Sequence, residues 1–240
     1  MIDLSDRQKK ILLAIINEFI SSDEAVGSEV ITTKYPISAS PATIRYEMVR
    51  LSDQGLLTKA YSSSGRIPSA LGIRYYLSSL MDETDVDVML EVRLRQLIHK
   101  LRYERDKLIK EILMFLAETT KCATLVLTQS GMTYSGIYNL LDQFEDKEKT
   151  KQILLLLDDS NILRDLLQRH VDEKDVKVLI GEETNFQSLK ETSIIYSKIH
   201  LQTDEQVIIA VIGSKRINYS EIIPVIKLLT NAINQNSNGW

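Results

Sequence analysis

Apolar residues open the chain with the spacing of one helical face. Leu12, Ile15, Ile16, Phe19 and Ile20 fall at i, i+3, i+4, i+7 and i+8. Ser5 ahead of them, with Gln8 three residues on, has the form of a capping box, so a helix is predicted over 5–21. Asp23 to Gly27 reads as a connection. Ser28 then caps a short helix, Glu29 to Lys34, which Pro36 ends. Ser40 is a good N-cap and Pro41 suits the first helical position, where its missing N–H costs nothing. That third helix runs to about Gln54 and Gly55 closes it, with Ile44, Met48 and Leu51 turned to the core. A strand over 56–61, a turn at Ser62-Ser63-Ser64-Gly65, a short return strand at Arg66-Ile67-Pro68 and a helix capped by Ser69 complete a winged helix-turn-helix.

The pattern loosens after this point. Met81 to Val88 carries four carboxylates and fits an acidic hinge or a helix N-terminus. Leu90, Leu94, Leu97, Leu101 and Leu108 then follow near-heptad spacing in one helix predicted to reach Glu118. Those leucines suit a dimer coiled coil or packing on the chain's own sheet. Ala123 to Thr128 and Val176 to Ile180 read as strands, and Ile194 to Leu201 with Gln206 to Ile212 as a hairpin. Ile153 to Leu157 suits a buried strand or a helix equally. Ser220 to Asn234 closes the chain as a helix.

Composition narrows the class. At 240 residues, 44% hydrophobic and 26% charged, the chain is an ordinary globular sequence. It has no apolar run near the roughly 20 residues a membrane span needs, and no signal-peptide pattern at the N-terminus. Cys122 is the only cysteine, which excludes an intrachain disulfide and fits a reducing cytoplasm; it reads as a buried small apolar residue. The net charge is −4, yet nine Lys/Arg balance nine Asp/Glu among residues 1–82, so any nucleic-acid contact there is a local patch. His99, His170 and His200 lack ligand spacing. Asp158-Asp159 and Glu182-Glu183 read as solvated turns. Neither a metal site, a cofactor site nor a catalytic constellation is expected.

Three stretches of the chain resemble the HrcA family of heat-inducible transcription repressors. They are Leu4 to Leu12 with Val26-Gly27-Ser28; Ser40 to Arg45 with Gly55-Leu56-Leu57, Ser64 to Pro68 and Gly72 to Tyr76; and Ile180 to Glu183 with Val211-Ile212-Gly213 and Arg216 to Tyr219. The resemblance implies an α+β chain. Its parts are a winged helix-turn-helix over 1–82, a linker helix over 83–120 and an abridged GAF-like dimerisation and regulatory domain over 121–240. It also implies a homodimer on an inverted-repeat DNA operator of chaperone genes, with a chaperonin as a further partner. The chain departs from the family in length. Thr124 to Leu127 is followed almost at once by Tyr134 to Gln143, whose Asn139 to Gln143 resembles a much later family segment. Several strands and an inserted subdomain are largely absent.

The candidate DNA-contact set follows from the motif. Ser38, Ser40, Pro41, Thr43, Arg45, Tyr46 and Arg50 lie at or on the recognition helix, where N-terminal residues meet base edges. Arg45 suits a bidentate pair with guanine or a grip on phosphate. Family members commonly carry asparagine where this chain has Tyr46, which implies a different operator preference. In the wing, Ser62, Ser63, Ser64 and Gly65 allow close approach to the backbone. Arg66 suits a minor groove or a phosphate, against the plainer reading of an ion pair that fixes the wing. Arg74, Tyr75 and Tyr76 read as a brace behind the wing. A ligand-sensing GAF-like regulator and a protein-binding winged helix stand as the alternatives to a repressor; an enzyme is not expected.

Overall fold

The computed structural model describes residues 2–22, 24–59, 65–129, 131–157, 159–168, 176–201 and 205–237. The chain divides into two compact units, Met1–Asp82 and Glu83–Trp240.

In the first unit, α1 (Asp6–Ser21), α2 (Ser28–Lys34), α3 (Pro41–Asp53) and α4 (Ala70–Ser79) surround a two-stranded sheet of β1 (Leu57–Lys59) and β2 (Arg66–Pro68). The local signals act as the sequence predicts. Ser5 and Gln8 form a reciprocal capping box, Ser40 Oγ accepts from Thr43 N, and Ser69 Oγ accepts from Gly72 N. Ser28 differs. It is the first residue of α2 and buried, and Gly27 occupies the cap without a side-chain bond. The connection before it also contributes to the sheet, because Val26 N and O pair with Arg66 O and N, both at 3.0 Å. Ile11, Leu12, Ile15 and Ile16 of α1 and Ile31, Ile44, Leu51 and Ile73 are all buried where α1 packs on α2, α3 and α4. Gly72 brings α4 against β1, since a Cβ there would lie 2.1 Å from Leu56 O.

In the second unit, the single helix expected over 90–118 is two, α5 (Val88–Lys100) and α6 (Arg105–Thr120). The chain turns at Leu101 to Glu104, where Glu104 N bonds Leu101 O and a charge stands where the apolar stripe needed another hydrophobe. Breaking there lets α5 pack on α6 and α10 while α6 lies on the sheet. Leu94, Leu101 and Leu108 are thus buried within their own unit, which favours packing over a coiled coil. The acidic approach is a helix N-terminus: Asp87 caps α5, and Glu83 pairs with Lys227.

Five antiparallel strands follow in the order β4-β3-β7-β6-β5, being β3 (Ala123–Thr128), β4 (Gly131–Ser135), β5 (Lys177–Ile180), β6 (Thr192–Leu201) and β7 (Glu205–Ser214). Strand β4 was not legible as a strand, for its burial is weak and it forms an edge. The ambiguous run at 153–157 is helical, within α8 (Lys147–Leu157); α7 (Asn139–Gln143) precedes it and α9 (Ser160–Gln168) follows. These three helices cover one sheet face, where Leu163, Leu166 and Leu167 meet Leu125, Ile194, Tyr196 and Ile212. Helices α6 and α10 (Tyr219–Ser237) cover the other. Thr124 Oγ1 donates to Leu113 O at 2.8 Å there, and the Ser193 and Tyr219 hydroxyls lie 2.6 Å apart. A sheet buried on both faces explains why its strands read as unbroken apolar runs.

Helix α7 is a clip. Asn139 Nδ2 donates to Cys122 O at 2.9 Å, Gln143 Nε2 donates to Lys121 O at 2.6 Å, and Gln143 Oε1 accepts from Ser214 N at 2.7 Å. The turn after α6, with Lys121 in the left-handed region, is thereby tied to the end of β7. Two of the acidic residues read as solvated have structural work instead. Asp159 Oδ1 accepts from Asn161 N and Ile162 N, and Glu183 Oε2 accepts from Ile180 N. Asp158 lies outside the described residues. Among the described residues, no helix is long and apolar enough to cross a membrane.

Candidate nucleic-acid interface

Helix α3 is held from behind by Gln8, which the sequence marked only as half of a capping box, and by Glu47, which it did not mark. Gln8 uses its Oε1 to accept from Ser5 N and its Nε2 to donate to Glu47 Oε2, at 3.0 Å each. One amide thus caps α1 and pins α3 to it. The Glu47 carboxylate is nearly buried, and this bond offsets part of its desolvation. A second clip joins α1 to the end of α2. Lys34 Nζ lies 2.8 Å from Glu18 Oε2, and the Tyr35 hydroxyl donates to Glu18 Oε1 at 3.0 Å. The hydrogen bond from Lys34, aided by that from Tyr35, holds the Glu18 carboxyl below its ordinary range, although burial opposes it. Burial, together with its bond to Glu18, pushes the Tyr35 phenol up to about 12.

The front of α3 carries the expected residues. Ser38, Ser40, Pro41, Arg45, Tyr46 and Arg50 are exposed and Thr43 is half-buried. The Ser40 and Thr43 hydroxyls lie 2.9 Å apart, so each already has a partner. The Arg50 guanidinium lies 5.9 Å over the Tyr46 ring. Ile44, Met48 and Leu51 are buried, as the periodicity requires.

The wing is placed in part. Ser62, Ser63 and Ser64 lie outside the described residues. Gly65 is buried at the base, where a Cβ would approach Ala25 Cβ to 2.7 Å, so close packing within the protein accounts for this glycine. Arg66 is half-buried, and its Nε donates to Ser52 Oγ of α3 at 3.1 Å. That bond fastens the wing to the helix. Lys59, exposed at the last described position before the tip, is a cation the sequence reading passed over. Tyr76 is buried and Arg74 and Tyr75 half-buried on α4, behind the wing.

The family model for the HrcA protein C-terminal domain matches residues 45–223. A curated heat-inducible transcription repressor HrcA of Clostridium botulinum (strain Eklund 17B) is 26% identical, over 98% of this chain and 99% of the relative. That alignment runs over 343 positions against 240 residues here, so the relative carries a long segment that this chain lacks. A repressor of the same name from Roseiflexus sp. (strain RS-1) is 33% identical over 69% of this chain and 45% of the relative. A crystal structure described only as a hypothetical protein shares the fold, with a TM-score of 0.76, 18% identity and 98% coverage of both chains. The fold is α+β, a winged helix-turn-helix unit followed by an abridged GAF-like sheet unit. The ligand-sensing alternative is not favoured, since the relatives are named as repressors. This chain belongs to the HrcA family of heat-inducible transcription repressors.

Proposed function

We propose that the chain represses transcription of heat-inducible genes by binding double-stranded DNA through α3 and the wing. The observation that carries this reading is the presentation of α3. Its N-terminus is capped by Ser40 and opened by Pro41, its inner face is locked by Glu47, and its outer face leaves Arg45, Tyr46 and Arg50 free to solvent. A helix so presented suits the major groove. Ser38, Ser40, Pro41, Thr43, Arg45, Tyr46 and Arg50 form the contact set, joined by the wing residues Ser62 to Arg66, with Arg66 acting mainly as the fastener of the wing. The protein acts as a homodimer in the cytoplasm on an inverted repeat, with half-sites spaced by whole turns, roughly 34–36 Å or a multiple. A chaperonin is its further partner. It binds and does not catalyse.

Fluorescence anisotropy of the full chain with duplexes from chaperone promoters tests this. Selective binding that weakens steeply with salt is expected. Absence of binding even at low salt sinks the reading. Analytical ultracentrifugation with and without DNA tests the homodimer separately.

A further inference from the structure

The outward face of α3 is not uniformly basic. Ala42, Arg45, Tyr46, Val49, Arg50 and Asp53 are exposed on it, while Ile44, Glu47, Met48 and Leu51 are buried. At about 100° per residue, Ala42, Tyr46, Val49 and Asp53 fall along the middle of that face. Arg45 and Arg50 stand on its two opposite flanks. The middle strip therefore presents apolar surface: Tyr46 is 62% exposed and Val49 41%. The Arg50 guanidinium over the Tyr46 ring limits the ring's freedom and keeps it on the strip. Asp53 ends the strip with a negative charge, which disfavours DNA at the last turn and leaves the earlier turns to approach it.

A helix in the major groove sets its middle strip over base edges and its flanks toward the two sugar–phosphate strands. The 5-methyl of thymine is the apolar group those base edges offer. We propose, resting on the DNA-binding reading above, that Tyr46 and Val49 read thymine methyl groups while Arg45 and Arg50 grip phosphates on the two flanks. Sequence choice then comes from apolar contact, and affinity with its salt dependence from the two arginines. Arg45 does not form the bidentate pair with guanine that its residue type also allows.

The test uses the full chain and duplexes selected by it from a random library. Each thymine of a selected site is replaced in turn by deoxyuridine, which lacks only the methyl. Deoxyuridine at one or two positions per half-site is expected to weaken binding about fourfold, the worth of one buried methyl group. Tyr46→Ala removes that difference and Tyr46→Phe keeps it. Arg45→Ala, which removes one phosphate contact from each protomer, weakens all duplexes alike and lowers the salt slope by about two. Selective binding in which deoxyuridine equals thymine at every position overturns the proposal and leaves the DNA-binding reading standing. So does a loss of guanine preference in Arg45→Ala. Failure to select any sequence, with no binding at low salt, overturns the DNA-binding reading itself. The deoxyuridine series needs no substituted protein, so it is independent of folding defects.

Discussion

Helices α1, α3 and α4 of the first unit each start on a serine that bonds a backbone N–H three residues ahead. In the second unit, by contrast, β7 is held by β3, from far earlier in the chain: Ala123 pairs with Ile212 and Leu127 with Ile208. The helix starts of the first unit are short-range decisions, whereas the β3–β7 pairing of the second is long-range and must overcome loop-closure entropy before it stabilises anything. A family member that lacks a long segment of its relatives still has these supports of α3 within the first unit: Glu47 bonded to Gln8 of α1, Ser52 bonded to Arg66 of the wing, and the packing of α2.

The sharpest way to break this contrast is to damage the sheet and watch the helices. Ile212→Ala removes a fully buried side chain in the central strand and should cost about 4 kcal/mol. Cys122 reports on it. Its thiol is buried and pushed up to about 11, mainly by that burial, so alkylation at neutral pH requires opening of the sheet unit. The labelling rate should rise roughly a thousandfold. Amide exchange of α1 and α3 should stay unchanged; equal loss of protection there shows that the two units unfold as one.

Within the first unit, Gly72→Ala forces a Cβ against Leu56 O and should destabilise by about 3 kcal/mol in urea denaturation. Gly27→Ala, with nothing within 4 Å of the added atom, should be near neutral. A smaller effect, about 2 kcal/mol, is expected of Gln8→Ala, which removes half a capping box and strips a bond from the buried Glu47 carboxylate. Its α3 amides should exchange faster, and an unchanged α3 would show that the helix needs no support from α1.

The mildest test is pH. Glu18 has a lowered folded value, so its contribution is present above the ordinary 4.5 and lost as pH falls through that lowered value. Tyr35 has a raised one, so its contribution is present below the ordinary 10.0 and lost as pH rises through about 12. Urea midpoints across pH should show both arms, and Glu18→Gln should flatten the acidic one. Both arms should appear in the exchange of α1 and leave that of β7 alone.

The sequence by itself determined the starts of α1, α3 and α4, the wing's return strand, the inner face of α3 and the β6–β7 hairpin. Each rests on a signal within a few residues: a serine cap, Pro41 at the first helical position, or apolar spacing. The tertiary structure decided the rest. It broke the leucine-rich run at Leu101 to Glu104 so that α5 and α6 each found an apolar surface, and it added β4 as an edge that has no strong pattern of its own. It turned Arg66 back onto Ser52, buried Gly65 on Ala25, and set Arg50 over Tyr46. A cap acts over three residues and can be read from them. Where a long side chain points, and which half of an amphipathic run is covered, depends on partners that only the folded chain brings near.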